Sequence, residues 1–125
     1  MVGIGREPAQ ESRRRGDVVL IDFGTTGGSV LAGPHPAVIV QADRMHASST
    51  VLVCPMTSRT MHDQTWVPPY LARASRTETG LDRDGWVKCD QVFTRPAATI
   101  GPRIGRLSPE ALSRVDAALR FCLGL

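Results

Sequence analysis

The residues best equipped for chemistry in this chain of 125 residues stand in three short groups. Lys88 and Asp90 lie two apart in a stretch that alternates like a β-strand, so they share one face about 7 Å apart. A cation beside a carboxylate is a usable acid and base pair; it is also an ordinary charge pair on a solvated face. Thr57-Ser58-Arg59 directly follows an apolar run. Hydroxyls at a strand end offer hydrogen bonds to a ligand, and equally they cap turns. His35 sits between Pro34 and Pro36 at the end of a glycine-rich stretch. An imidazole suits proton transfer near neutral pH, although a lone loop histidine is commonly inert.

Other chemistries lack their residues. His35, His46 and His62 have no ligand-like spacing to one another or to a cysteine, so no zinc site is expected. Cys54, Cys89 and Cys122 are odd in number and show no CxxC spacing. Without an export signal they read as reduced thiols in the cytosol, with Cys54 and Cys89 as small core residues of strands. No GxGxxG, Walker loop, HExxH or GxSxG occurs.

The elements that must position these groups are short. Residues 1–14 are polar, arginine-rich and aperiodic, and read as a flexible tail ahead of one domain over 15–125. Asp17-Val-Val-Leu-Ile-Asp-Phe23 is a strand, followed by a ten-residue loop, Gly24 to Gly33, with four glycines. Pro36-Ala-Val-Ile-Val-Gln41 is a second strand, whose continuous apolar run predicts burial on both faces. Thr50-Val-Leu-Val-Cys54 is a third, ended by Pro55. Gln64 to Val67 reads as an edge strand beside Pro68-Pro69, and Leu71 to Asp84 as a long mobile excursion with a turn at Gly80. Gly85 to Thr94 has the clearest period of two. It directs Trp86, Lys88, Asp90 and Val92 to one face and Val87, Cys89, Gln91 and Phe93 to the other. After a short strand at Ile104–Leu107, Ser108 caps a helix with Pro109 at its first position and Glu110 on its dipole. Leu112, Val115, Ala118, Leu119 and Cys122 make one apolar stripe, and Gly124 ends the helix. The fold class is therefore mainly β with a C-terminal α-helix, as a small, strongly bent antiparallel sheet or half-open barrel.

Lysine and arginine total 15 against 12 acids, and Lys88 is the only lysine. Guanidinium groups grip phosphate in bidentate fashion, yet from Gly16 onward 11 basic residues face 10 acidic ones. Any basic groove must come from how charges are placed. No apolar run approaches the roughly 20 residues of a membrane span, and Met1 to Gly16 has no apolar signal region.

Taken in order, Arg15-Gly-Asp-Val-Val-Leu-Ile-Asp-Phe23, Gly27-Gly-Ser29, His35-Pro-Ala-Val-Ile-Val40, Val53-Cys-Pro-Met-Thr-Ser58, Val87-Lys-Cys-Asp-Gln-Val92 and Ile104-Gly-Arg-Leu107 resemble the MazF/PemK (Kid) toxins of bacterial toxin–antitoxin modules. The likeness covers residues 15–125. It implies a half-open β-barrel of the CcdB/PemK type acting in the cytoplasm as a homodimer. It also implies metal-independent endoribonuclease activity on single-stranded RNA, mainly messenger RNA, with no cofactor. A MazE/PemI-like antitoxin is the implied partner, and no membrane is involved.

By the same resemblance, Asp90 falls on the acidic catalytic position, Lys88 on an arginine position, and Thr57 and Ser58 on the hydroxyl pair that contacts the reacting phosphate. Ser29 falls on a loop position that is serine or histidine in relatives. His35 stands where relatives commonly carry a catalytic arginine, and Val30-Leu31 replaces a frequent Glu-Gln. The expected catalytic set is His35, Thr57, Lys88 and Asp90; the expected RNA contacts are Ser29, Ser58, Arg59 and Trp86. Trp86, Trp66 and Phe93 are the aromatics available to stack on bases. Asp90 or His35 is the expected base, and His35 or Lys88 the acid or phosphate clamp. Activity that needs a protonated imidazole falls as pH rises past the histidine's titration. The alternatives are a non-catalytic CcdB-like toxin that binds a topoisomerase, a degenerate homologue that only pairs with antitoxin, and a generic RNA-binding barrel.

Overall fold

A computed structural model describes residues 13–24, 33–58 and 66–125. The arginine-rich tail up to residue 12, Ser29 with most of its glycine loop, Arg59, and Gln64-Thr65 lie outside the described residues. Arg13 and Arg14, expected to be part of the tail, are tied in. The Arg13 guanidinium donates to the Ala97 carbonyl (3.2 Å), and the Arg14 N–H donates to the Asp17 carboxylate (2.8 Å).

Among the described residues seven strands form one sheet: β1 (Asp17–Asp22), β2 (Pro34–Ile39), β3 (Thr50–Thr57), β4 (Leu71–Ala74), β5 (Gly85–Lys88), β6 (Phe93–Pro96) and β7 (Arg103–Arg106). The order is β4-β5-β3-β2-β1-β7, with β6 paired to β3, and every ladder is antiparallel. A short helix, α1 (Arg76–Thr79), follows β4, and a long one, α2 (Pro109–Leu123), closes the chain. The result is the expected mainly-β, curled half-barrel with a C-terminal helix.

Each face of the sheet carries a core, which is why the run Ala37-Val-Ile39 of β2 is apolar and buried without alternation. Val18, Val38, Cys54, Met56, Val87 and Cys89 pack under α2 through Ala111, Val115 and Ala118. On the opposite face Val19, Ile21, Phe23, Ala37, Ile39, Val51 and Val53 pack with Phe93, Ala97 and Ile100. Directly paired residues share a face of a sheet. Val38 beside Cys54 therefore belongs to the helix side, and Ile39 beside Val53 to the other. The C-terminal helix begins and ends as its sequence predicts. The Ser108 hydroxyl accepts from the Ala111 N–H (3.1 Å), and Gly124 adopts a left-handed φ of 72°.

Three expectations need correction. First, β3 does not stop at Pro55 but runs through it to Thr57. The Val40 N–H donates to the Leu52 carbonyl, so even-numbered residues of β3 bond to β2 and Pro55 faces the other edge. There the ladder is broken, and a missing N–H costs nothing. Second, the break splits the expected strand Gly85–Thr94 into β5 and β6. Met56 pairs with Val87 and Val53 with Phe93, so two residues on β3 (Cys54, Pro55) oppose five (Lys88 to Val92). The three extra residues form an enlarged bulge. An odd offset exchanges the faces, and Phe93 therefore packs on the face opposite Val87 and Cys89.

Third, Leu71 to Asp84 is ordered rather than a mobile excursion, and Trp66-Val67 is not a strand. The overlooked signal was a capping box. Glu78 accepts from the N–H and hydroxyl of Ser75 (3.1 and 3.0 Å), and Gly80 ends α1 at a φ of 82°. Arg114 of α2 then holds the Glu78 carboxylate and the Arg73 carbonyl, binding this segment to the long helix.

Candidate active site

The polar residues of interest gather at one end of the sheet, on the face away from α2. His35 on β2 pairs with Ile21, a member of the second core, and its ring lies 6.5 Å from that of Phe23. The β2–β3 register that pairs Ala37 with Pro55 runs on toward His35 and Thr57, which end their strands on the same side. Thr57 stands opposite Trp86, and Trp86 opposite Arg73 of β4. Lys88, two residues along β5, stays on this face opposite Leu71. His35, Thr57, Trp86 and Lys88 are each half-buried, so each is held by the scaffold and still reaches solvent.

Asp90 comes from the bulge rather than from a ladder. The Cys89 N–H completes the β4–β5 pairing on the Tyr70 carbonyl, the Gln91 N–H turns back to the Lys88 carbonyl (3.2 Å), and Asp90 is left exposed at the bend. Bulges commonly re-aim a side chain beside a site. Ser58 is exposed just past β3. Trp66, 60% exposed, lies before β4. Ser29 and Arg59 cannot be placed, since both lie outside the described residues; the base of the Ser29 loop is closed by Phe23 N–H to Gly33 carbonyl (2.8 Å) and Gly33 N–H to Gly24 carbonyl (2.6 Å).

The buried thiols are placed as core residues. A hydrogen bond with Cys54 and burial among apolar side chains push the Cys89 thiol far up, with a smaller contribution from the Asp90 charge. Burial also raises Cys122. A thiol so held supplies no thiolate nucleophile. Among the described residues no group of three His, Cys, Asp or Glu side chains is arranged to hold a metal ion. His35, Thr57 and Lys88 offer an imidazole, a hydroxyl and an ammonium on one side of the sheet, which suits proton transfer and charge stabilisation at a phosphodiester, while the Asp90 charge acts on Cys89 and Cys122 of the helix-side core.

Arg73 has no signal in the sequence, where its segment reads as an excursion. Phe93 lies on the face opposite to the one its alternation predicts, because the bulge has no signature in that alternation.

Residues 14–123 match the family model for the PemK-like, MazF-like toxins of type II toxin–antitoxin systems. The chain belongs to this family. It is 33% identical over 113 residues to the probable endoribonuclease MazF of Mycolicibacterium smegmatis, covering 90% of this chain and 97% of that protein. It is 31% identical over 118 residues to endoribonuclease MazF9 of Mycobacterium tuberculosis, with the same coverage. Among solved structures, an endoribonuclease in complex with its cognate antitoxin from a Mycobacterial species superposes with a TM-score of 0.74 at 22% identity, over 91% of this chain and 97% of that one. MazF of Deinococcus radiodurans gives a TM-score of 0.72 at 19% identity, over 90% and 97%. The PemK/MazF fold thus extends over nearly all of the chain.

Proposed function

We propose that this protein is the toxin of a toxin–antitoxin module and a sequence-specific, metal-independent endoribonuclease that cuts single-stranded RNA, messenger RNA above all, and so inhibits translation and growth. The observation that carries this reading is the end-to-end match to MazF endoribonucleases, 97% of whose length is covered at 31–33% identity. It works in the cytoplasm as a homodimer and is held inactive by a MazE/PemI-like antitoxin. A cognate antitoxin accompanies the first of the similar structures.

RNA brings its own nucleophile. A base takes the 2′-hydroxyl proton, the 2′-oxygen attacks the adjacent phosphorus, and the bond to the 5′-oxygen breaks as an acid protonates it. The products are a 2′,3′-cyclic phosphate and a 5′-hydroxyl. Asp90 or His35 is the base, His35 or Lys88 the acid or phosphate clamp, and Thr57 and Ser58 donate to the charge that builds on phosphorus. Ser29, Arg59 and Trp86 contact the strand, Trp86 by stacking. No step calls for a metal or cofactor.

The deciding experiment incubates purified toxin, freed of antitoxin, with long RNA in EDTA and maps the cut sites and their end chemistry, for wild type and Asp90→Ala. Cuts at one short sequence with cyclic phosphate ends, lost in the variant, are the expected result. RNA left intact everywhere overturns the reading, and binding without cleavage points instead to a CcdB-like toxin.

A further inference from the structure

The face that holds His35 also carries a guanidinium to which the catalytic and contact sets above give no role. Arg95 lies on β6 opposite Val51, a member of the second core, so its side chain leaves the sheet on the same side as His35 and Thr57. Its guanidinium sits 5.2 Å from the centroid of Phe23 and 6.0 Å from that of Phe93. These two rings are themselves packed at 5.0 Å. Phe23 is also the ring beside His35. One aromatic side chain therefore lies beside both His35 and Arg95.

No carboxylate among the described residues meets the charge of Arg95. One nitrogen, Nη2, donates to the Asp22 main-chain carbonyl (3.3 Å), while the Asp22 carboxylate itself accepts from the Gly24 N–H (2.8 Å). With one N–H on that carbonyl, the other four of the five guanidinium donors stay available to a ligand. A guanidinium fixed in orientation, half-buried and without a carboxylate, is ready to receive a phosphate oxygen at little ordering cost.

Resting on the nuclease reading above, we propose that Arg95 grips a backbone phosphate of the bound single-stranded RNA beside Phe23. Phe23 and Phe93 act as its positioning residues. Each phosphate neutralised on a single strand adds about 0.7 to the slope of log binding constant against log salt, so the contact has a signature that packing alone lacks.

The test uses an oligonucleotide with the mapped cleavage sequence and a 2′-deoxyribose at the cut. Binding is measured over a salt series for wild type, Arg95→Met, which keeps the apolar stem on the rings, and Arg95→Lys, which keeps the charge. Arg95→Met is expected to bind about tenfold more weakly, with a slope shallower by about 0.7, and Arg95→Lys to keep the wild-type slope. In wild-type toxin, arginine-specific dicarbonyl labelling of Arg95 should fall when the oligonucleotide is bound; this arm needs no variant to fold. An unchanged slope in Arg95→Met, or labelling indifferent to the oligonucleotide, overturns the proposal while leaving the nuclease intact. Failure of wild type to cut any RNA overturns the nuclease reading first.

Discussion

Thr57 stands opposite Trp86 across β3 and β5, three residues out of step with the register that pairs Val53 with Phe93. Trp86 and Phe93 are seven apart and would lie on opposite faces of one continuous strand; the offset brings them to the same face. It also leaves Asp90 exposed at the bend between β5 and β6.

Asp90 is exposed and outside the ladders, so its replacement should touch chemistry and not folding. Asp90→Asn is expected to lower the cleavage rate by roughly 100-fold or more while changing stability by less than about 0.5 kcal/mol. Single-turnover cleavage and a urea titration on the same preparation check both halves. A comparable loss of stability would mean that Asp90 braces the bulge instead.

In the proposed mechanism the Thr57 hydroxyl donates to the phosphate. Thr57→Val keeps the β-branched shape in the strand and removes the donor, and should reduce kcat by roughly 100-fold with little change in KM. Thr57→Ser should retain most of the rate. If Val and Ser variants behave alike, the hydroxyl is not part of the reaction.

Glu78 ties α1 to α2, and its acid titration is the clearest linkage in the molecule. Hydrogen bonding from Arg114, then from the Ser75 backbone, holds its carboxyl down to about 2 from an ordinary 4.5. A depressed folded-state pKa adds stability that is fully present above the unfolded value and is lost as pH falls. Wild type should therefore lose stability steadily from about pH 4.5 down to about pH 2. Glu78→Gln should start less stable at neutral pH and show a flatter acid limb. Denaturation midpoints for both proteins between pH 2 and 7 decide it; parallel acid limbs would assign the loss to other carboxylates.

Two glycines separate steric from conformational cost. Gly80 has a φ of +82° and open space around it, so Gly80→Ala should cost about 1–2 kcal/mol from left-handed strain alone. A methyl at Gly105 would run into the main-chain carbonyl of Thr79 and the Leu81 side chain, where β7 passes close to α1. Gly105→Ala should be the more damaging of the two, because the carbonyl that it meets belongs to a hydrogen-bonded helix end. Urea midpoints that rank the variants the other way would contradict this close approach.

Much of the fold was legible because its signals are local. The β-branched runs at Asp17–Asp22 and Thr50–Cys54, the cap at Ser108 and the apolar stripe of α2 depend on residues within a few positions of one another. The ordered motif order from Arg15 to Leu107 carried the family. The capping box of Ser75 and Glu78 was equally local, but it was masked by a polar stretch that reads as loop.

The bulge, the pairing of Thr57 with Trp86 and the approach of His35 and Arg95 to the one ring of Phe23 had no such local signal. Each joins residues tens of positions apart, and each follows from which strands pair and in what register. A shift of three residues in one ladder decides which side chains share a face. Alternation within a strand specifies two faces but not which of them meets the neighbouring strand's polar end; packing of the two cores settled that.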